Sequence, residues 1–151
     1  MSIKDRLNED MKQAMKEKEA GKLRLSVIRM VRASIKNTEI DRRKELTTDE
    51  EVLDVLAKEV KMRRDSLEEF KKGNRPDLVA ALEQEIAILM GYLPAQLSEA
   101  EVRTLVAEAV AQTGASGPKE MGKVMAALMP KVKGRADGKL VNAIVKELLS
   151  Q

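Results

Sequence analysis

The 151-residue sequence contains no cysteine and no histidine. Without cysteine the chain has no disulfide, no thiolate nucleophile and no cysteine-bound zinc. Without histidine it lacks the side chain that titrates near neutral pH and the commonest ligand of transition metals. Sequence motifs of phosphate-binding loops, serine hydrolases and zinc proteases are also missing. We therefore predict a protein with no catalytic residues, no metal, no cofactor and no small-molecule substrate.

Aromatic residues are almost absent, since Phe70 and Tyr92 are the only two. The remaining composition, 43% hydrophobic and 35% charged, is rich in residues that favour helices over strands. No apolar run approaches the roughly 20 residues that cross a bilayer, and the first residues lack the apolar core of a signal peptide. These features predict an all-α fold in a soluble, cytoplasmic protein with no membrane partner.

Helical periodicity and breaks divide the chain into two predicted domains. Gly91 and Pro94 interrupt the pattern, and Ser98-x-x-Glu101 has the capping-box spacing that begins a helix. Thr48-x-x-Glu51 has the same spacing. We expect an N-terminal helical domain of long amphipathic helices over residues 1–92 and a small C-terminal three-helix domain over residues 93–151. The four long helices are predicted at residues 3–19, at residues 22–43, from the capping box at Thr48 to about Lys72, and at residues 77–90.

The predicted helix 22–43 has an apolar face and a basic stripe. No acidic residue occurs between Ala20 and Thr38. The stripe is either a solvated face, as is typical of soluble helices, or a surface for a phosphate backbone or an acidic partner. We favour the solvated face. The apolar positions are Leu23, Val27, Met30, Val31, Ser34 and Ile35, and the basic positions are Lys22, Arg29, Arg32 and Lys36.

The most distinctive stretch is the basic segment 119–139, which has six basic residues against Glu120 and Asp137. We predict that a short apolar helix stops at Pro130 and that a basic loop with Gly134 and Gly138 follows. Loop N–H groups, a helix start and cationic side chains together suit phosphate groups. The alternative is a surface turn whose charges only confer solubility. The candidate nucleic-acid-binding residues are Lys119, Lys123, Lys131, Lys133, Arg135 and Lys139.

Three further local predictions concern glycine and methionine. Gly73 is expected to take the left-handed position that ends a helix, before Pro76 opens the next one. Gly122 lies inside a helical pattern at a cost of about 1 kcal/mol relative to alanine, so we expect another backbone to pack closely against it. The methionines spaced four apart in this helix are interpreted as core, with an adaptable partner groove as the alternative. They are Met121, Met125 and Met129.

Several segments together resemble the YqeY family over essentially the whole chain. The resemblance is carried by residues 24–30 (RLSVIRM), 60–66 (VKMRRDS), 92–98 (YLPAQLS), 121–125 (MGKVM) and 133–142 (KGRADGKLVN). It implies an all-α protein with an N-terminal helical domain and a small C-terminal helical domain.

The same resemblance implies kinship to the C-terminal tail of the B subunit of tRNA-dependent amidotransferase. That tail is a tRNA-contacting appendage, and the chemistry of the enzyme lies elsewhere. The resemblance therefore implies a non-catalytic accessory protein that binds tRNA or another structured RNA. The alternative is a protein–protein adaptor associated with the machinery of tRNA aminoacylation and amidation, or with another partner.

Overall fold

The computed structural model describes residues Met1–Ser150, and within that range its regular structure is helical with no strand. The prediction of an all-α fold is confirmed. Short 3-10 turns at Lys18–Gly21 and Pro118–Glu120 precede the second and sixth α-helices. The α-helices are α1 (Ile3–Lys16), α2 (Lys22–Arg42), α3 (Asp49–Lys72), α4 (Pro76–Met90), α5 (Glu99–Thr113), α6 (Met121–Val132) and α7 (Gly138–Leu149).

The chain divides into two compact units, Met1–Leu93 and Pro94–Gln151. Helices α1 to α4 form the first unit and α5 to α7 form the second, and each unit has its own apolar core. None of these amphipathic helices can bury its apolar side alone, so the helices of each unit pack on one another. The fully buried large side chains of the first core include Leu7, Ile28, Leu46, Leu56 and Leu89, and those of the second include Val102, Val106, Leu128 and Ile144.

Helix starts follow the local signals in the sequence. The Thr48 hydroxyl accepts a hydrogen bond from the Glu51 N–H at 3.2 Å, and the Ser98 hydroxyl accepts one from the Glu101 N–H at 3.1 Å. Each of these bonds satisfies an N–H that has no partner inside its helix. Both predicted helix starts are confirmed. They could be predicted from sequence because the capping residue and the N–H that it binds are only three residues apart.

The buried face of α2 differs from the prediction. Leu23 and Met30 are 37% and 47% exposed, whereas Ile28 is fully buried. Helix α2 packs against α1, α3 and α4, so contacts with three neighbours select which side is covered. Periodicity indicates that an apolar face exists, but its centre is set by these tertiary contacts.

The turn between α3 and α4 also differs in one detail. Gly73 has φ −79°, and the left-handed residue is Asn74 at φ 54°. The predicted role of Gly73 is therefore wrong. Asparagine is the other residue that commonly occupies this conformation at the end of a helix. Pro76 begins α4 as expected.

A buried ion pair lies along α3 in the first unit. The guanidinium of Arg63 contacts the Glu59 carboxylate at 2.7 Å, and both residues are almost fully buried. The Ser34 hydroxyl donates to the same carboxylate at 2.6 Å, and Glu85 lies 3.5 Å from the Nε atom of Arg63. Arg63 thus reaches carboxylates from α3 and α4.

Gly21 allows α1 and α2 to meet at a sharp corner. The residue is buried, and a Cβ atom added to it would lie 2.2 Å from the carbonyl oxygen of Ala14. That oxygen belongs to the backbone, which cannot rotate away as a flexible side chain would. Only glycine fits here without moving the end of α1 away from the turn.

We expect the substitution Gly21→Ala to destabilise the protein by about 1–3 kcal/mol, the usual cost of forcing an extra group into a packed site. Gly73→Ala is the matched control, because its Cβ would meet its nearest atom at an ordinary 3.4 Å. Urea unfolding monitored by circular dichroism measures both. Equal stability of the two variants would contradict the close packing at Gly21.

Candidate nucleic-acid interface

The six basic residues singled out in the sequence all lie in the second unit, on α6, on its flanking turns and at the start of α7. The lysines at 119, 123, 133 and 139 are exposed, and the basic residues at 131 and 135 are partly buried. Glu120 and Asp137 are the two acidic residues in the same segment, which leaves a local excess of four positive charges. The 3-10 turn before α6 holds Lys119, α6 holds Lys123 and Lys131, the linker holds Lys133 and Arg135, and the first turn of α7 holds Lys139.

Helix α6 continues through Pro130 and ends at Val132, so the prediction that it stops at Pro130 is wrong. Proline removes one backbone hydrogen bond, but only one turn remains to be held. The Lys133 N–H donates to the Met129 carbonyl at 2.9 Å, and the buried Val132 anchors that turn in the core. As a result Lys131 lies on a helix and not on a loop.

A tight turn follows α6. Lys133 has φ −59° and ψ 122°, Gly134 has φ 71°, and the Arg135 N–H donates to the Val132 carbonyl at 2.9 Å. These values describe a type II β-turn, whose third residue must adopt a positive φ and is therefore usually glycine. Gly134 has this conformational role, and the turn fixes the directions in which Lys133 and Arg135 leave the backbone.

The segment that opens the second unit holds this turn in place. The Leu97 N–H donates to the Arg135 carbonyl at 2.7 Å, and the Gln96 side-chain amide donates to the Gly134 carbonyl at 2.9 Å. The Nε atom of Arg135 lies 3.4 Å from the Ala95 carbonyl oxygen. Residues far apart in sequence therefore keep the basic turn in one conformation.

The start of α7 is occupied by a carboxylate of the chain itself. Asp137 is the N-cap residue, and its side chain accepts a hydrogen bond from the Lys139 N–H at 3.1 Å. Lys133 and Lys139 each make an interaction within the chain as well. At the helix start that we expected to contribute to phosphate binding, a carboxylate of the chain already accepts from one of the free N–H groups.

The outer face of α6 carries small residues. A Cβ atom at Gly122 would meet no other atom within 4 Å, so the predicted close packing of another backbone is wrong. Ala126 and Met129 are exposed and follow Gly122 by four and seven residues, which places them along one line of the helix. The small residues on this line are Gly122 and Ala126, and at Gly122 no side chain covers the backbone beside Lys123.

The methionine prediction for α6 is partly confirmed. Met121 and Met125 pack against the core of the second unit, whereas Met129 is 42% exposed. Met129 lies about 100° around the helix from Leu128, which is fully buried, so it is at the flank of the buried face. The spacing of four residues drifts around the helix, so three methionines in sequence do not share one environment.

Metal centres and membrane spans are both absent from residues 1–150. No group of three or more acidic side chains lies close enough together to hold a metal ion there. Across the same range, no helix has both the length and the apolar character to cross a membrane.

Comparison with known proteins identifies the family. The model of the YqeY family, described as Yqey-like protein, matches residues 4–149. Relatives carry the name "altered inheritance of mitochondria protein 41, mitochondrial". The relative from Pyrenophora tritici-repentis is 33% identical over 95% of this chain and 79% of its own length. The relative from Lachancea thermotolerans is 39% identical over 74% of this chain and 60% of its own length. The relative from Kluyveromyces lactis is 47% identical over 57% of this chain and 45% of its own length.

The names of all three relatives place them in mitochondria, which contradicts our prediction of a cytoplasmic protein. That prediction relied on the absence of an apolar signal core, and such an absence carries no information about import into mitochondria. The family resemblance, by contrast, is confirmed. Because the family model covers nearly the whole chain and the Pyrenophora relative is similar along most of its length, the chain belongs to the YqeY-like protein family.

Proposed function

We propose that this protein binds structured RNA, with tRNA as its main class of ligand, and catalyses no reaction itself. The observation that carries the proposal is the concentration of positive charge around α6. Lys119, Lys123 and Lys131 belong to this surface, and none of them is paired with a carboxylate among the described residues. Cations that have no acidic partner keep their full attraction for phosphate groups.

The type of nucleic acid follows from the missing aromatic side chains. Proteins that hold single strands stack the bases on aromatic rings, and the second unit has no aromatic residue. Double-stranded and folded RNA is recognised mainly through its shape, its phosphates and its 2′-hydroxyls. The α6 surface offers lysines for phosphates and no stacking platform, so we favour a folded RNA.

Two structural features support RNA binding at α6. The turn at Gly134 is fixed by hydrogen bonds from Gln96 and Leu97, so little order has to be gained there on binding. Gly122 exposes helix backbone next to Lys123, and its cost of about 1 kcal/mol is not offset by packing within the chain. Close approach of a phosphate backbone is the role that we assign to Gly122.

A second function, as a protein–protein adaptor, is favoured by the surface of α2. Leu23, Met30 and Ile40 are exposed on this helix, together with its basic stripe. Exposed methionine and arginine are typical of surfaces that bind proteins. A stoichiometric protein partner recovered after nuclease treatment would favour this function over RNA binding.

The triple variant Lys119→Glu, Lys123→Glu and Lys131→Glu is expected to weaken binding of folded tRNA at least about tenfold, because each reversal replaces attraction to a phosphate with repulsion. The salt dependence should also fall, by roughly one unit of slope in log affinity against log salt for each lysine–phosphate interaction that the variant removes. Fluorescence anisotropy with labelled tRNA over a salt series measures both quantities.

The matched control reverses three exposed lysines of α3, in the variant Lys58→Glu, Lys61→Glu and Lys71→Glu. Its net charge equals that of the first variant, so it measures the effect of overall charge alone. If both variants bind tRNA equally, or if the wild type shows no salt-dependent binding, the α6 surface is not an RNA-binding site.

A second test separates stability from binding at Gly122. We expect Gly122→Ala to stabilise the second unit by up to about 1 kcal/mol, because alanine favours the helix and its methyl group meets no other atom. The same variant should bind tRNA more weakly, since the methyl group stands where the RNA backbone approaches. Thermal unfolding and tRNA titration of one preparation give both values. A more stable variant with unchanged tRNA affinity would refute the role of Gly122 in binding.

A further inference from the structure

The hairpin of α3 and α4 carries a hollow that lies outside the proposed RNA surface. The hollow encloses about 330 Å³ beside the turn that joins the two helices. Its lining residues among those that the structure describes come from α3, α4 and their turn, and none belongs to α1 or α2. This side of the hairpin is therefore open to solvent. The lining includes Phe70, Lys71, Arg75, Val79, Ala80 and Glu83.

The apolar part of the lining lies beyond the core of the first unit. None of the described residues 64–72 of α3 is buried, and Leu89 is the one buried residue within the described range Pro76–Met90 of α4. Phe70 and Val79 are both partly exposed, and Ala80 is exposed. An apolar surface is thus left without cover at this end of the hairpin.

Charges of opposite sign line the two ends of the hollow. Lys71 and Arg75 lie beside the turn, and Glu83 lies in α4, about 12 Å further along the helix axis than Arg75. Lys71 and Glu83 form no ion pair with any residue in the described part of the chain. Arg75 contacts Asp77 at 3.4 Å, and both side chains are mostly exposed. Each end of the hollow therefore has a charge that the fold does not use.

The α4 side of the hollow has the spacing of a helix-packing face. Four lining residues follow one another at intervals of three, one and three residues, which places them along one side of the helix. They are Pro76, Val79, Ala80 and Glu83. Val79 lies midway in sequence between Arg75 and Glu83. A two-fold axis beside Val79 therefore brings Arg75 of one copy of the chain to Glu83 of the other copy, at both ends of the contact.

We infer that this face is a self-association surface, which binds a second copy of the chain by antiparallel packing of the two α4 helices. A two-fold contact uses the same patch on both copies, so the patch has to be complementary to itself. The hollow meets this condition, because Glu83 of each copy would receive Lys71 and Arg75 of the other, and the apolar residues would cover one another. Folded RNA fits less well, since Glu83 repels phosphate groups.

Sedimentation equilibrium of the full chain over about 10 µM to 1 mM tests the inference, because the dimer fraction rises with concentration. The wild type should fit a monomer–dimer equilibrium. Ala80→Gln should raise the dissociation constant of the dimer at least about fivefold, because a longer side chain would stand in the contact. Ala81→Gln is the matched control and should stay within about twofold, since Ala81 is exposed on the same helix and does not line the hollow. A wild type that stays monomeric, or equal effects of the two variants, would overturn the inference.

Charge reversal tests the two-fold pairing. Glu83→Lys makes both ends of the hollow cationic, and Lys71→Glu combined with Arg75→Glu makes both ends acidic. Each variant alone should associate at least about tenfold more weakly than the wild type, because like charges would meet. An equimolar mixture of the two should recover a dissociation constant within about threefold of the wild type, because opposite charges would meet again.

The substituted side chains are all exposed, so the variants should keep their fold, which circular dichroism checks. A mixture that associates no better than either variant alone would refute the pairing of Glu83 with Lys71 and Arg75.

Two other occupants give different results in these experiments. If the wild type stays monomeric and binds folded tRNA more tightly than the Ala80→Gln variant does, the hollow binds RNA and the inference is wrong. If the wild type stays monomeric and a single protein is recovered with it but not with Ala80→Gln, the hollow belongs to a different partner and the inference is again wrong. The α6 variant with Lys119, Lys123 and Lys131 reversed should dimerise as the wild type does, so failure of the self-association surface and failure of the RNA surface can be told apart.

Discussion

The basic surface of the second unit depends on the turn that links α6 to α7. Gly134 supplies the positive φ that a type II turn requires, and the carbonyls of Gly134 and Arg135 accept hydrogen bonds from Gln96 and Leu97. The hydrogen bond between Gln96 and Gly134 joins residues 38 positions apart, so it depends on the packing that brings the segment before α5 to the end of α6. The core of the second unit therefore determines the position of the basic residues. The turn fixes where Lys133 and Arg135 leave the backbone, whereas Lys119, Lys123 and Lys131 are positioned by α6 and the 3-10 turn before it.

The two units use their charged residues in different ways. In the first unit, Arg63 and Glu59 are buried as a pair that also engages Ser34 and Glu85. A buried pair of this kind contributes little net stability, because desolvation offsets most of the attraction between the charges. In the second unit Lys119 and Lys123 are exposed and have no acidic partner among the described residues. The first arrangement belongs to a packed interior, and the second leaves these two cations at the surface.

The features predicted correctly from sequence are those decided by nearby residues. Thr48 and Ser98 begin helices because each hydroxyl accepts a hydrogen bond from the free N–H three residues later. The errors arise where distant contacts decide the outcome. Pro130 remains inside α6 because Val132 is held by the core, and Ile28 is buried in place of Met30 because three helices surround α2. The tethering of Arg135 by residues 95–97 has no local signal at all.

Gly122 shows what the position of a glycine in a helical sequence pattern can and cannot predict. A glycine within a helix indicates that something comes close to the backbone, but the sequence does not tell whether that neighbour belongs to the chain. The structure shows open space at this position, so no neighbour among the described residues accounts for the glycine. The basic residues show the same limit. Their number can be counted in the sequence, but the sequence does not tell which of them form ion pairs with acidic residues of the chain. Lys119 and Lys123 lie without acidic partners among the described residues, whereas Lys139 interacts within the chain.

The central claim is that the surface around α6 contacts RNA in the cell. Ultraviolet crosslinking in living cells, followed by mass spectrometry of the peptides that carry a nucleotide, tests it most directly. Our account predicts nucleotide adducts on peptides from residues 118–139, with tRNA as the main crosslinked species. Recovery of the protein without any adduct, or with adducts confined to the first unit, would contradict the claim.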